Sequence, residues 1–403
     1  MSTQEKTQKI SHRGAKIEAS ITMAVTALAN QLKEEGKSII GMSAGEPDFD
    51  TPDSIKQAAI QAIQDGQTKY TAAAGLPRLK QAICNKFKRD HDLDYTPDQV
   101  IVSCGAKHTI YNILMAIINP GDEVIIPRPY WVSYPDQVQL ANGTPVFLDT
   151  SDKTQFKITP EQLESAITSK TKCLILNSPS NPTGMVYSRE ELQALGEILV
   201  KHQCLVISDE IYEKLIYDGT HVSIASLSPE LKNLSIVVNG ASKAYSMTGW
   251  RIGYCAGPKD IVSVMGRIQS HSTSNPTTPA QFAAIQALEG CEQDVEKMRQ
   301  AFEERRQLIV SKLNSLDGVT CLTPQGAFYA FPNISGLFGK TSASGQISDS
   351  VSFCKQLLQE KLVACVPGSG FGAEGYIRLS YATSQEAITE AIQRLDDWIQ
   401  TLR

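Results

Sequence analysis

No uninterrupted apolar run in this 403-residue chain approaches the eighteen or so residues that a membrane-spanning helix requires, so a soluble protein is expected. Positive charge is not in excess either. With 38 Lys and Arg against 43 Asp and Glu, the chain offers no basic footprint for nucleic acid and no polybasic segment for a membrane surface. The first residues are polar, include Glu5 and lack the apolar stretch of a secretory signal, and residues 1–14 read as a flexible tail. The nine cysteines form no C-x-x-C pair and lie scattered through apolar runs, as reduced core thiols of a cytoplasmic protein do. The six histidines are dispersed, and neither H-E-x-x-H nor an acidic calcium loop occurs, so metal catalysis has no candidate. Repeats and low-complexity segments are missing too, which sets aside solenoids and disordered arrays. Small-molecule chemistry remains, on a chain long enough for two or three domains.

What is present is a series of short β-branched runs, apolar on both faces as buried parallel strands are: residues 99–103, 122–126, 173–177, 204–208 and 235–239. Helical patterns lie between them. Residues 109–118 are apolar at helical spacing and stop at Asn119-Pro120-Gly121, and residues 188–201 open on a capping box, Ser188 with Glu191. Strand and helix alternating over roughly residues 50–290 predict a wound α/β domain. A long amphipathic helix over about 293–316, a helix near 349–361 and a strand at 376–380 predict a smaller α+β domain, completed by residues 15–45 from the N-terminal side. The boundaries expected are 15–45 with 293–403 for the small domain and 46–292 for the large one.

Ligands of open α/β sheets bind beyond the carboxyl ends of the strands, so the residues that follow each strand matter most. Lys243 sits in a tight loop, Ser242-Lys243-Ala244-Tyr245-Ser246, with Arg251 eight residues on. A lysine amine forms a Schiff base with an aldehyde when burial or nearby cations lower its pKa, and a guanidinium offers parallel donors to phosphate oxygens. Pyridoxal 5′-phosphate (PLP) needs both. Gly105-Ala106-Lys107 opens a helix after the first strand, where free amides and the helix dipole favour a phosphate. Trp131 offers a ring face, and the loop Ser178–Gly184 presents Asn181. Asp209 at a strand end can hold a pyridine nitrogen protonated, and Tyr212 can donate to the cofactor's 3′-oxygen. Arg378, beside the loop Pro367–Gly372, suits a two-point hold on a substrate carboxylate. Each feature also has a plain structural reading: a solvated turn for the Lys–Arg pair, a core tryptophan, an ordinary proline turn, an N-capping aspartate. Their joint occurrence at successive strand ends favours the functional one.

The motifs Ala44–Phe49, Tyr130–Tyr134, Asn177–Gly184, Ser208–Tyr212 and Ser242–Gly253 carry a resemblance. From about residue 15 to its end the chain resembles the class I, fold type I, PLP-dependent aminotransferases, in particular the prokaryotic-type aspartate aminotransferase branch. The resemblance implies a mostly parallel seven-stranded sheet sandwiched by helices, and a ping-pong exchange of an amino group between aspartate and 2-oxoglutarate. Lys243 would bond to the cofactor and shuttle protons. Asp209, Tyr212, Asn181 and Trp131 would hold its ring, and Arg251, Ser242, Gly105 and Ala106 its phosphate. Tyr70 would reach the phosphate of a partner subunit in a homodimer with shared sites. Arg378 and the Gly45 backbone would take the substrate α-carboxylate, with Trp131 and Asn181 beside it, and Lys107, Ser20 and Thr22 its distal carboxylate. Glu18-Ala19 departs from the branch, where a basic residue and a proline are common; an acid there would repel the second carboxylate of prephenate. Other class I aminotransferases, a lyase of the same fold, which would release product without a 2-oxo-acid co-substrate, and a PLP-binding regulator, which would need a DNA-binding module, are the alternative readings.

Overall fold

The computed structural model describes residues 10–11, 14–17 and 21–403. After the short β1 (Ile40–Gly41) come seven strands of one sheet: β2 (Val100–Ser103), β3 (Glu123–Arg128), β4 (Thr144–Asp149), β5 (Thr171–Asn177), β6 (Leu205–Asp209), β7 (Ser235–Gly240) and β8 (Gly253–Ala256). Their order is β2-β8-β7-β6-β5-β3-β4. Strands β4, β3, β5, β6 and β7 pair in parallel, whereas β8 runs antiparallel to both β7 and β2. The expected mostly parallel seven-stranded α/β sheet is the fold of this chain.

The two-residue period of the strands decides which helices cover which face. In β5, Cys173 and Ile175 pack with the Ile110, Ile113 and Leu114 stripe of helix Ala106–Ile117. Leu174 and Leu176 point the other way, onto Leu192, Leu195 and Leu199 of helix Arg189–Lys201. In β2 the alternation sends Ile101 to the first face, while Val100 and Val102 meet Leu79, Ile83 and Phe87 of helix Pro77–His91. Fully buried strands of this kind read as continuous apolar runs, which is why five of the seven were legible. β4 was not. It lies at the sheet edge, its residues are half-buried or exposed, and Pro145 within it removes a ladder donor that only an edge strand can spare. The capping box of helix Arg189–Lys201 forms as expected: the Ser188 hydroxyl accepts from the Glu191 amide at 3.2 Å, and Glu191 Oε2 accepts from the Ser188 amide at 2.7 Å.

The remaining strands are short. β9 (Tyr329–Ala330), β13 (Val366–Pro367) and β14 (Ile377–Ser380) form a three-stranded antiparallel sheet in the order β13-β14-β9. β10 (Thr341–Ser342) and β11 (Gly345–Gln346) make a hairpin. β12 (Val363–Ala364) pairs in parallel with β1 and ties residues 40–41 to the C-terminal part of the chain. Helices Glu292–Leu313 and Gln385–Ile399 pack against each other and share a core with Phe328, Tyr329 and the fully buried Trp398. Among the described residues no helix is long and apolar enough to cross a membrane.

Candidate active site

Strands β5, β6 and β7 end side by side, and their register sets Asn177 opposite Asp209 and Asp209 opposite Val238. A cavity of about 370 Å³ opens where they stop. Lys243, Asp209, Tyr212, Asn181, Trp131 and Arg378 all line it, as do Gly45, Ala106, Lys107, Ser242 and Arg251.

Asp209 is buried. Its Oδ2 accepts from the Tyr134 hydroxyl at 2.6 Å and its Oδ1 from the Ile211 amide at 3.3 Å. Desolvation pushes its pKa up to about 6 against the pull of these donors. A cationic N–H facing it would reverse that shift, which is what a pyridinium nitrogen offers. Lys243 Nζ donates to the Gly45 carbonyl and lies 5.8 Å from the ring centroids of both Tyr212 and Phe328. Desolvation, with repulsion from Arg378 and Arg251, lowers its pKa to about 8, while Glu46 and Asp209 act in the opposite sense. The amine is therefore available uncharged within a unit or so of neutrality, as condensation with an aldehyde demands.

At the other end of the cavity a phosphate cradle is built from close backbone approach. Gly105 adopts φ +89°, and a Cβ there would lie 2.4 Å from Arg251 Nη2; a Cβ on Gly253 would lie 2.1 Å from the Ala106 nitrogen. The exposed Arg251 guanidinium thus sits directly against the start of helix Ala106–Ile117, with only its contact to the Thr248 carbonyl, at 2.8 Å, among the hydrogen bonds of the described residues. Amine, cradle, acid and ring face together fit PLP.

Arg378 enters from β14 and is 2% exposed. It donates to Asn181 Oδ1 at 3.0 Å and to the Ser43 carbonyl at 2.7 Å, and lies 4.5 Å from the Tyr329 ring centroid. Because arginine only donates, this bond turns the Asn181 oxygen toward Arg378 and leaves the amide hydrogens for another acceptor. Tyr212 and Tyr329 hydroxyls are 2.8 Å apart, so Tyr329 can donate to Tyr212 and free the Tyr212 proton. Lys107 Nζ lies over the Trp131 ring, 4.9 Å from its centroid. The structure does not bring Tyr70 into this cavity; it is 89% exposed. Ser20, Glu18 and the side chain of Thr22 lie outside the described residues.

Several lining residues were not assigned from the sequence, Tyr134, Tyr329 and Glu46 among them. Tyr134 lies within a quoted motif, but only the fold shows its hydroxyl on Asp209. Tyr329 is one of several aromatics in Phe328–Phe331, and nothing local marks it out. Glu46 accepts from the Thr248 hydroxyl at 2.9 Å across 202 residues of chain, a contact no local pattern announces.

A family model described as aminotransferase class I and II matches residues 37–395, so the chain belongs to that family, whose enzymes use PLP. Among named relatives, the aspartate aminotransferase of Geobacillus stearothermophilus is 54% identical over 97% of this chain and 99% of its own length. The aspartate/prephenate aminotransferase of Cereibacter sphaeroides is also 54% identical, over 94% of this chain and 96% of its own. Among solved structures, the aspartate aminotransferase from Rhizobium meliloti superposes with a TM-score of 0.95 at 44% identity, covering 98% of this chain and all of that one. The Thermus thermophilus aspartate aminotransferase with maleate gives 0.92 at 42%, over 97% and 99%.

The shift at Lys243 is open to direct test. A depressed lysine pKa means that between pH 8 and 10.5 the folded chain binds fewer protons than the unfolded one, so stability gains with rising pH across that window. Amine labelling of Lys243 in cofactor-free protein is expected to titrate with a midpoint near 8. A midpoint of about 10, the ordinary lysine range, would mean that the amine is solvated rather than held in the cavity.

Proposed function

We propose that this chain is an aspartate aminotransferase, exchanging an amino group between L-aspartate and 2-oxoglutarate to give oxaloacetate and L-glutamate by a ping-pong route. The observation that carries the reading is the convergence of a low-pKa lysine, a buried aspartate and a phosphate cradle on one cavity in a chain of the aminotransferase family. Aspartate as substrate is supported by the names of its relatives, since it is common to both kinds at equal identity, and by the Thermus neighbour, which holds the four-carbon dicarboxylate maleate.

Bound PLP supplies an electron sink for the electron pair left on the substrate Cα when its proton departs. Everything else is done by the chain. Lys243 would hold the cofactor through its amine, and that amine, uncharged near neutrality, would accept the substrate Cα proton and give it back as general base and acid. Asp209, kept in place by Tyr134, would pair with the ring nitrogen, Tyr212 and Asn181 would donate to the 3′-oxygen, and Trp131 would bound the ring. Arg251 would balance the phosphate charge, with the Ser242 hydroxyl and the Ala106 amide donating to it, while Gly105, whose own amide donates to the Ser103 carbonyl at 2.8 Å rather than to the phosphate, allows the close approach. Arg378 and Gly45 orient the α-carboxylate, and burial of Arg378 strengthens that pairing because little water competes for it. Lys107, with Ser20 and Thr22, takes the distal carboxylate.

We take residues 15–45 and 293–403 as a small domain and 46–292 as a large one, because the seven-stranded sheet spans 100–256 while β1 is joined to β12. The cavity draws Gly45, Tyr329 and Arg378 from the first group and the lysine loop from the second, so relative movement of the two would close it around substrate and exclude water. A cytoplasmic homodimer completes the reading. Tyr70, Ile60 and Ile63 are each exposed, as apolar residues that a second copy of the chain would cover are.

Purified protein given aspartate and 2-oxoglutarate is expected to form oxaloacetate, and borohydride is expected to fix PLP to the Lys243 peptide alone. Repeated turnover, beyond one product per site, without a 2-oxo acid, or label on another lysine, would overturn the reading. Lys107→Ala is expected to lower kcat/KM for aspartate and glutamate by roughly 10- to 150-fold, the cost of one charge-assisted hydrogen bond, while leaving alanine nearly unchanged. Equal loss for every substrate would remove Lys107 from the distal-carboxylate site. Mixing inactive Tyr70→Ala with inactive Lys243→Ala should restore part of the activity, because one site of each heterodimer then carries neither defect. No recovery after verified subunit exchange would deny the shared site.

A further inference from the structure

The segment that carries Asp209 and Tyr212 has a second side. Asp209, Ile211 and Tyr212 line the cavity, whereas the intervening Glu210 and the following Glu213 do not. Both glutamates are buried, and each is held by several donors. Glu210 Oε1 accepts from the Ser208 and Ser223 hydroxyls at 2.8 and 2.7 Å, and Oε2 from His221 Nε2 at 2.9 Å. Glu213 takes the Lys86 ammonium at 2.5 Å and His91 Nε2 at 2.6 Å.

The fold has here gathered two of the histidines that are dispersed in sequence. The ligand atoms of His91, Glu210, Glu213 and His221 all lie within 4.8 Å of one another, an arrangement that could hold a metal ion. Lys86 already supplies a cation: its side chain is 1% exposed, and its ammonium lies on Glu213 and 3.1 Å from His91 Nε2. Asp90, itself paired with Lys214 and Arg89, stands 3.7 Å away on the same side. Lys86 and His91 belong to helix Pro77–His91, whose Leu79, Ile83 and Phe87 are fixed in the core beneath the sheet.

We propose that Glu210 and Glu213 are positioning residues, whose buried ion cluster anchors the segment from behind and thereby holds Asp209 and Tyr212 at the cofactor. The inference rests on the functional reading above. A buried carboxylate stripped of its partners is strongly disfavoured, so neither glutamate can shift without its donors, and each is peptide-bonded to a residue of the cavity. Backbone bonds transmit the anchoring: the Glu210 amide donates to the Val238 carbonyl at 2.9 Å, and the Glu213 amide to the Glu210 carbonyl at 3.0 Å. The donors on Glu210 also spread a charge that would otherwise press on Asp209, whose pKa it raises.

Glu213→Gln and Lys86→Met each strand one partner and are expected to melt lower, whereas the double variant removes both charges and should recover most of the melting temperature. In the folded double variant loaded with PLP, kcat for aspartate with 2-oxoglutarate is expected to fall by about 10- to 100-fold while KM changes by less than about threefold, as displacement of groups that act on the reacting centre implies. The cofactor's visible absorption band should shift and PLP should dissociate faster. A double variant with restored melting temperature and wild-type kcat, band and PLP affinity would overturn the proposal, leaving the cluster as scaffold alone. Should the double variant fail to fold, Ser223→Ala with His221→Gln loosens Glu210 only; a shifted band with lower kcat supports the proposal, and an unchanged band with unchanged kcat overturns it. Wild-type protein that neither binds PLP nor transaminates would be a failure of the functional reading instead, recognisable before any variant is made.

Discussion

The parallel pairing of β5, β6 and β7 is the constraint on which the rest depends. Parallel strands bring their carboxyl ends to one side of the sheet, and their connections must leave from there, so residues far apart in sequence arrive at a common crevice. Asn177 and Asp209 are register partners across two such strands. The Asn177 amide ties the neighbouring chain by donating to the Asp209 carbonyl at 2.9 Å, and its oxygen accepts from the Asn181 amide at 2.8 Å. Sheet, loop and Asp209 are in this way a single hydrogen-bonded unit.

Burial then does the chemical tuning. The same loss of water that raises the Asp209 pKa lowers that of Lys243, each toward its neutral form. Two groups with opposite ordinary charges are thus brought to titrate near neutrality, at about 6 and about 8. Behind them the opposite solution is used: Glu210 and Glu213, equally buried, are held well on the charged side by histidine and lysine partners. The chain separates titrating groups from fixed charges across the thickness of one short segment.

Much of the site was legible because its residues cluster in local motifs. Lys243 and Arg251 share one loop, Asp209 and Tyr212 one turn, and Asn181 a proline-rich connection, so each could be found from its neighbours. The partners of those residues were not legible. Tyr134 on Asp209, Tyr329 on Tyr212 and Glu46 on Thr248 are contacts between distant segments, and no periodicity encodes them. The histidines illustrate the same limit: spread over the sequence they suggest nothing, yet His91 and His221 rings lie 5.3 Å apart in the fold.

Apolar periodicity and local motifs are properties of contiguous residues, so the alternation of buried strands and helices, the lysine loop and the family could be read along the chain. The edge placement of β4, the oxygen that Asn181 turns to Arg378, the depression of the Lys243 pKa and the cation that Lys86 supplies to buried Glu213 came only with the fold. Each of those depends on which segments meet and how much water they exclude, and desolvation is a property of the assembled fold rather than of any stretch of chain.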